Sequence, residues 1–463
     1  MTKKITLVIP NYREVCECLL LSKRPLLGVG YIAAVLMQKG WSVNVIDAFA
    51  ENLTPEQVIK RIQNSGSEIT GISLNVLAYE FAKELAGLCR RYGIKVIVGG
   101  PEVTISPGTA VKEIRPDVAV IGEGEQTIPE LLGILESEGR WSPKFLASVK
   151  GIAFFDIDGQ IIRTDTRQRI TDLDNLPFMP YEIFPLNSYN LSYSTLPKTP
   201  VFGVYTSRGC PYNCSFCSNR EVWQRKCFYM SAERVLDEIE HIIANYPVKG
   251  INFHDDSFSL NEKRVIGICE GILSRGIKIP WACQGRAEGL DEETLRLMKR
   301  AGCKSMSFGI ESGSKRILSF INKEIEPEQA LATIRLAKKA GIAVIASIMV
   351  GLPTQTRAEE NQTIQFLKKA KCTIVYMAPY LGYPGSDIYK QFLSNDSKYV
   401  YKRIGTLVLP NSEELSWPQK VAFMKRYNRK FNLTFRHLLY LIANFGMIAT
   451  AKICLNKILR RKQ

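Results

Sequence analysis

Three cysteines stand close together in the middle of this sequence. The loop that follows a β-rich run ending at Thr206 contains Cys210, Cys214 and Cys217, interleaved with Gly, Pro and Asn residues. Three thiolates at this spacing can wrap one face of an iron–sulfur cubane and leave its fourth iron without a protein ligand. Because electron-transfer ferredoxin sites use four cysteines, the loop indicates an iron that is kept open for a substrate or cofactor.

A zinc knuckle is the structural alternative for this loop. It needs a fourth Cys or His ligand at short spacing, and the nearest such residues are Cys227 and His241. The chain has 12 cysteines, and most of those outside the loop lie in apolar stretches, where a thiol acts as a small hydrophobic side chain. The pattern therefore favours an iron–sulfur cluster.

Length, composition and charge limit the class of protein. At 463 residues the chain exceeds one ordinary core, so two or three domains of roughly 100–200 residues are expected. The apolar run after residues 1–4 is too short for a secretory signal, which predicts a cytoplasmic protein. The net charge of +16 is uneven, because residues 391–463 hold 14 Lys or Arg residues against 3 Asp or Glu residues.

Strand-like and helix-like segments alternate in two blocks. Residues 1–145 predict parallel βαβ units in a doubly wound, Rossmann-like (flavodoxin-like) domain, which binds ligands at the carboxyl ends of its strands. Residues 146–200 predict a hairpin, turning at Asp158 and Gly159, and a linker. Residues 201–390 predict a partial (β/α)6 TIM-type barrel. Residues 391–463 predict a C-terminal helical basic region.

The cysteine loop after the first barrel strand resembles the radical SAM superfamily. Its spacing is Cys210-x-x-x-Cys214-x-x-Cys217. The resemblance implies a [4Fe–4S] cluster on these cysteines, whose open iron is chelated by the amino and carboxylate groups of S-adenosylmethionine (SAM). It also implies reductive cleavage of SAM to methionine and a 5′-deoxyadenosyl radical. The cofactors then carry the difficult chemistry, while the barrel supplies orientation and excludes water.

The same resemblance assigns SAM contacts to later strand ends. Phe216 corresponds to the family's adenine-side residue, and the adjacent Asp255 and Asp256 stand where carboxylates bind the SAM ammonium group. Gly351 has no side chain, so the backbone there could approach adenine closely. Many relatives carry another glycine just upstream, where this chain has Ala346 and Ser347. The implied carboxylate, ribose and adenine contacts are Arg286, Glu311, Ser347 and Gly351.

The first block resembles the cobalamin (B12)-binding domain that is fused to many radical SAM enzymes. The implied cobalamin contacts are Ser73, Leu74, Gly99, Gly100, Gly122 and Glu123. No histidine precedes His241, so this domain cannot donate a histidine to cobalt, and the resemblance implies base-off cobalamin without a His ligand. A dinucleotide is disfavoured, because no Gly-x-Gly-x-x-Gly opens a helix after the first strand.

These features predict a cobalamin-dependent radical SAM enzyme, most often a methyltransferase acting on an unactivated carbon. The alternative to methyl transfer is a ring closure or an oxidation, catalysed by an enzyme of the anaerobic porphyrin cyclase type. RNA methylthiotransferases need three further, well-separated cysteines in the first domain, but Cys16 and Cys18 are nearly adjacent and only Cys89 is distant. A non-enzymatic cobalamin-binding or electron-transfer protein would not need an open-iron motif.

The C-terminal region has a mostly apolar segment at residues 438–451 between basic flanks. It is shorter than the roughly 20 residues of a membrane span. It suits either an interfacial helix on an anionic membrane or a helix packed on the barrel. It lacks the regular alternation of aromatic and basic residues that a platform for RNA bases needs.

The expected partners of the protein are a small-molecule or lipid-like substrate and an external electron donor such as flavodoxin or ferredoxin. DNA is not an expected partner.

Overall fold

Helix-forming and strand-forming segments alternate along the chain and assemble into two large sheets. The structure, a computed structural model, describes residues 3–12, 23–395, 397–404, 406–433 and 440–442. Helices pack their apolar faces on the sheets, as parallel sheets require. Within the described ranges, no helix is both long enough and apolar enough to cross a membrane.

The first sheet is built from the amino-terminal block. Its strands are β1 (Lys4–Ile9), β2 (Ser42–Asp47), β3 (Ile69–Ser73), β4 (Lys95–Gly99), β5 (Val118–Val120), β6 (Ile152–Phe155) and β7 (Ile161–Arg163). Their order is β2-β1-β3-β4-β5-β6-β7. The strands β1 to β5 run parallel in the flavodoxin-like order, which confirms the predicted doubly wound architecture.

Helices connect these strands and cover both faces of the sheet. They are α1 (Leu27–Gln38), α2 (Ala48–Glu51), α3 (Pro55–Ser65), α4 (Tyr79–Arg91), α5 (Pro101–Ile105), α6 (Pro107–Ile114), α7 (Gly124–Glu138) and α8 (Pro143–Leu146). The bounds of α3 follow from its sequence. Thr54 and Gln57 form a capping box, Pro55 opens the first turn, and Gly66 ends the helix at a φ of +70°.

The predicted hairpin is confirmed, and it belongs to the first sheet. Strands β6 and β7 are antiparallel, and β6 also pairs with β5 through Ala153 and Ala119. The turn is closed by the N–H of Gly159, which donates to the carbonyl of Asp156. Because β5 would otherwise present an unpaired edge, the hairpin completes this side of the sheet.

The second sheet is built from the carboxyl-terminal block. The strands of this block are β8 (Val201–Val204), β9 (Ser207–Arg208), β10 (Phe228–Tyr229), β11 (Gly250–Phe253), β12 (Trp281–Gly285), β13 (Cys303–Glu311), β14 (Ala343–Val350), β15 (Ile374–Pro379), β16 (Val400–Ile404) and β17 (Leu407–Pro410). The parallel order β15-β14-β13-β12-β11-β8 confirms the predicted partial barrel. Short antiparallel pairs form between β9 and β10 and between β16 and β17.

Helices alternate with the barrel strands. They are α9 (Asn219–Trp223), α10 (Ala232–Asn245), α11 (Glu262–Ser274), α12 (Glu292–Arg300), α13 (Lys315–Phe320), α14 (Pro327–Lys339), α15 (Arg357–Ala370) and α16 (Trp417–Asn432). The strand β13 shows why the barrel interior is polar at one end. Its buried Phe308 and Ile310 join the hydrophobic core, whereas the alternating Ser307, Gly309 and Glu311 line a cavity.

The helix α16 closes the edge of the barrel sheet at β15. Asn428 accepts a hydrogen bond from the N–H of Met377 at 2.8 Å and donates to its carbonyl at 2.9 Å. One turn later, Asn432 makes the same pair of bonds with Val375, at 2.9 and 2.6 Å. Two side-chain amides therefore replace a neighbouring strand, and α16 is part of the barrel. The segment predicted at residues 438–451 lies outside the described residues apart from 440–442.

Replacing Asn428 with Ala is expected to lower the free energy of unfolding by about 1–3 kcal/mol, because the N–H and carbonyl of Met377 lose their partners. Urea titration measures the change. Lys425 lies on the exposed side of the same helix, so Lys425→Ala serves as the control and should change stability by less than about 0.5 kcal/mol. Equal effects of the two substitutions would contradict the edge-closing role.

Candidate active site

The three cysteines of the predicted cluster loop line one cavity. Cys210, Cys214 and Cys217 border a space of about 260 Å³ at the carboxyl end of the barrel strands. Burial raises the pKa of all three thiols, that of Cys217 to about 11. A bound metal deprotonates a coordinating thiol outright, so these groups become thiolates when they hold iron.

Backbone contacts fix the loop that carries these thiols. Ser215 donates its N–H to the carbonyl of Ile321 at 2.9 Å and accepts from the N–H of Ile388 at 3.0 Å. At the start of the loop, Gly209 has a φ of +101°, and a Cβ there would lie 2.1 Å from the carbonyl oxygen of Lys226. The two ends of the loop therefore cross so closely that only glycine fits.

Most of the predicted SAM contacts lie around the same cavity. The structure brings Phe216, Asp256, Arg286, Glu311 and Ser347 together with the three cysteines. They come from the cluster loop, from the ends of β11 and β12, and from β13 and β14. Because parallel strands end at one edge of a sheet, residues distant in sequence share this site.

The two adjacent aspartates have different surroundings. Asp255 is fully buried and does not line the cavity. Its carboxylate accepts hydrogen bonds from the N–H of Thr206 at 2.6 Å and from that of Ser207 at 3.2 Å, and from the Arg264 guanidinium at 3.3 Å. Asp256 is open to the cavity, and desolvation by the surrounding protein raises its pKa. Of the two predicted ammonium contacts, Asp256 lines the cavity and Asp255 does not.

Two cations border the cavity. The Arg286 guanidinium stacks 3.6 Å from the centre of the Tyr212 ring and donates to Glu288 and to the carbonyl of Lys323. Lys323 pairs with Glu311 at 3.1 Å. Both positive charges act to lower the pKa of Cys214, against the larger effect of its burial. An anionic ligand in this cavity would meet Lys323 as well as Arg286.

Gly351, where the sequence predicted a close approach of the backbone to adenine, has a close neighbour within the protein itself. Gly351 does not line the cavity, and its φ is +77°. The fully buried side chain of Lys420 lies against it, and a Cβ there would be 2.2 Å from the lysine Cε. The Lys420 ammonium donates to the carbonyls of Gly351 and Pro410. Burial lowers its pKa to about 7, and the charge of Glu360 opposes this shift.

Replacing Gly351 with Ala should lower the free energy of unfolding by about 1–3 kcal/mol, because alanine is strained at this positive φ, and its methyl group would displace Lys420. Urea titration tests this. Gly28 lies in α1 with nothing near its Cβ position, so Gly28→Ala should instead stabilise by about 0.5–1 kcal/mol. If Gly351→Ala also stabilises the protein, the assigned contact is wrong.

The predicted cobalamin contacts gather at the carboxyl edge of the first sheet. Leu74, which follows Ser73 at the end of β3, donates its N–H to the carbonyl of Gly99 at 2.7 Å. Gly100 has a φ of +108°, and a Cβ there would lie 2.7 Å from the Leu74 carbonyl oxygen. The N–H of Gly122 is joined to the Gly100 carbonyl through the hydroxyl group of Thr104. Three strand ends thus form one continuous edge.

Glu123, the last of the predicted cobalamin contacts, follows Gly122 and pairs with the barrel block. Its carboxylate accepts from Arg208 at 2.9 Å and from the N–H of Ile170 at 2.8 Å. Its side chain is 9% exposed. The carboxylate therefore joins the first sheet to the barrel block.

Comparison with known proteins identifies the family. Residues 204–367 match the radical SAM superfamily. Over 396 residues the chain is 33% identical to the uncharacterized methyltransferase PH0819 of Pyrococcus horikoshii, and the alignment covers 85% of this chain and 84% of that protein. This chain belongs to the radical SAM superfamily. Residues 22–132 match the B12-binding domain, so both predicted resemblances are confirmed.

Two further proteins place this radical SAM enzyme among its relatives. It is 28% identical over 372 residues to the anaerobic magnesium-protoporphyrin IX monomethyl ester cyclase of Rubrivivax gelatinosus, covering 78% of this chain and 65% of the cyclase. The solved structure of the cobalamin-dependent SAM radical enzyme OxsB superposes with a TM-score of 0.73 at 18% identity, covering 100% of this chain and 75% of that one. OxsB therefore shares the fold.

The donor set of this radical SAM protein fits a [4Fe–4S] cluster. In the described part of the chain, no three His, Cys, Asp or Glu side chains converge on a position for a single metal ion. A cubane instead distributes three thiolates over three separate irons, and the cavity presents three thiols from one loop. As a member of both families, the chain uses SAM, an iron–sulfur cluster and cobalamin as cofactors.

Several residues around the radical SAM cavity were not predicted from the sequence. They include Asn219, Gln284, Ser307, Gly309 and Lys323. The period-two alternation of β13 could have indicated Ser307 and Gly309, since Glu311 shares their face. Lys323 carries no such signal, because it follows α13 and reaches the cavity only through the tertiary fold.

Proposed function

We propose that this chain is a cobalamin-dependent radical SAM methyltransferase that acts on an unactivated carbon of a small molecule. The observation that carries the proposal is the shared cavity, in which three cluster thiols and the candidate SAM contacts meet beside a B12-binding domain. The bound cofactors would supply a 5′-deoxyadenosyl radical and a transferable methyl group. The protein would bind and orient SAM, hold the cluster and exclude water.

The charges around the cavity match the polar groups of SAM. Asp256 offers a carboxylate to the ammonium group, and Arg286 and Lys323 offer cations to the carboxylate group. Glu311 and Ser347 on neighbouring strands would contact the ribose and adenine side. Leu74, Ser73, Gly99, Gly100 and Gly122 would contact cobalamin at the edge of the first sheet, without a histidine ligand to cobalt.

Formation of 5′-deoxyadenosine tests the radical step. Anaerobically reconstituted protein, given SAM and a low-potential reductant, should release 5′-deoxyadenosine, and its electron paramagnetic resonance (EPR) spectrum should show a reduced cluster that responds to SAM. Protein that binds cobalamin and never cleaves SAM would overturn the proposal and favour a non-enzymatic role.

Cyclisation of the porphyrin cyclase type is the second candidate, and the similarity to the Rubrivivax gelatinosus protein favours it. SAM with an isotopically labelled methyl group separates the two. Methyl transfer places the label in the product, whereas ring closure leaves the product unlabelled. A methylthiotransferase needs a second cluster in the first domain, but Cys89 is fully buried in the core of α4, and Cys16 and Cys18 lie outside the described residues.

An external electron donor such as flavodoxin or ferredoxin would reduce the cluster. The net charge of +16 would favour encounter with an acidic donor protein. A cytoplasmic location remains our expectation. The predictions of a peripheral membrane contact and of a lipid-like substrate depend on the apolar segment at residues 438–451. Most of that segment lies outside the described residues. Liposome binding that does not change when residues 438–463 are deleted would remove their support.

A further inference from the structure

A buried group of ionic side chains joins the first sheet to the start of the cluster loop. Arg208 donates to Glu123 at 2.9 Å and to Glu125 at 2.7 Å. A second arginine, Arg169, lies 3.5 Å from the other carboxylate oxygen of Glu123. All four side chains are less than 10% exposed. We call these residues the interdomain ionic cluster.

The ionic cluster holds both ends of the cluster loop. Arg208 stands two residues before Cys210, and Arg169 donates to the carbonyl of Arg208 at 3.3 Å. Arg169 also donates to the carbonyls of Trp223 and Lys226, at 3.1 and 3.0 Å, where the chain leaves the loop. The guanidinium of Arg169 lies 4.5 Å from the centre of the Trp223 ring. Both ends of the loop are therefore tied to one arginine.

The same group holds the ligand edge of the first sheet. Glu123 directly follows Gly122, which ends that edge, and Glu125 lies in the first turn of α7. The Arg208 guanidinium donates to both carboxylates, so it is paired between the two domains.

We propose that the interdomain ionic cluster is a positioning device that fixes the distance and orientation between the iron–sulfur cluster and cobalamin. This inference rests on the proposed function, because it requires both cofactors to be bound. Buried ion pairs are costly to desolvate and often add little to stability, so geometric specificity is the role that suits four charges at this junction. The cluster loop and the carboxyl edge of the first sheet, which would bind cobalamin, would then move as one unit.

The experiment measures the two cofactors in one reconstituted protein. EPR of cob(II)alamin beside the reduced cluster reports the spin–spin coupling between them, and this coupling depends on their separation. In Arg208→Met we expect iron and cobalamin contents to match those of the unchanged protein, and we expect the defined coupling to be lost. Arg167→Met is the control, because Arg167 pairs with Glu130 near the surface of the same region, and it should keep the coupling.

A second variant keeps the test decisive if Arg208→Met does not fold. Glu125→Gln leaves the pair between Arg208 and Glu123 in place and should broaden the coupling without loss of either cofactor. If the folded variants keep the coupling of the unchanged protein, the positioning role is wrong. If the unchanged protein binds no cobalamin or no cluster, the proposed function itself fails, which is a separate result.

Discussion

Replacing Cys214 with Ala is expected to abolish the formation of 5′-deoxyadenosine from SAM. The two remaining thiolates cannot hold three irons of a cubane, so the variant should lose most of its iron after anaerobic reconstitution. Cys214 exposes little of its surface, whereas Cys210 and Cys217 are half-buried, and the N–H of Cys217 donates to the Cys214 carbonyl at 3.1 Å. Iron analysis, EPR and chromatography of the nucleoside product measure the effect.

The control for this prediction is Cys227→Ala. Cys227 was the nearest cysteine that could complete a zinc knuckle, and it is absent from the residues that line the cavity. We expect this variant to keep its iron and its SAM cleavage. Loss of metal from Cys227→Ala to the same extent as from Cys214→Ala would indicate a four-ligand site and contradict the open-iron assignment.

Much of the site could be predicted because strand ends in a parallel sheet converge. The cysteine spacing and the polar residues at the ends of β11, β12 and β13 appear in order along the sequence. The topology then brings Asp256, Arg286 and Glu311 to one cavity. The alternation of strands and helices was likewise sufficient to predict both sheets, since a parallel connection requires a crossover.

The remaining features depend on contacts between distant parts of the chain. Lys420 lies 69 residues from Gly351, yet its side chain is the reason for the glycine there. Arg208 lies 85 residues from Glu123, and their ion pair joins the first sheet to the start of the cluster loop. Local sequence patterns contain no signal for either contact, because each partner has an ordinary local environment and meets the other only when the domains pack.

Substitution by Asn should affect stability at one of the two adjacent aspartates and SAM binding at the other. Asp255→Asn is expected to lower the free energy of unfolding by about 3–5 kcal/mol, because it removes one charge of a buried ion pair and leaves the Arg264 guanidinium uncompensated. Asp255 is fully buried, and the hydroxyl group of Thr206 also donates to it, so an amide nitrogen there would face a donor. Urea titration of the two single variants measures the difference.

The Asp256 side chain is open to the cavity, and Asp256→Asn keeps its shape. The substituted side chain also keeps an oxygen that can accept from the Asn219 Nδ2, which lies 2.8 Å from the Asp256 Oδ1. We expect its stability to change by less than about 0.5 kcal/mol. Its affinity for SAM should fall roughly 10- to 100-fold, because a charge-assisted hydrogen bond contributes about 1.5–3 kcal/mol. Equilibrium dialysis of SAM against the reconstituted variants measures this. If Asp255→Asn weakens SAM binding without loss of stability while Asp256→Asn binds SAM normally, the roles assigned to the two residues are reversed.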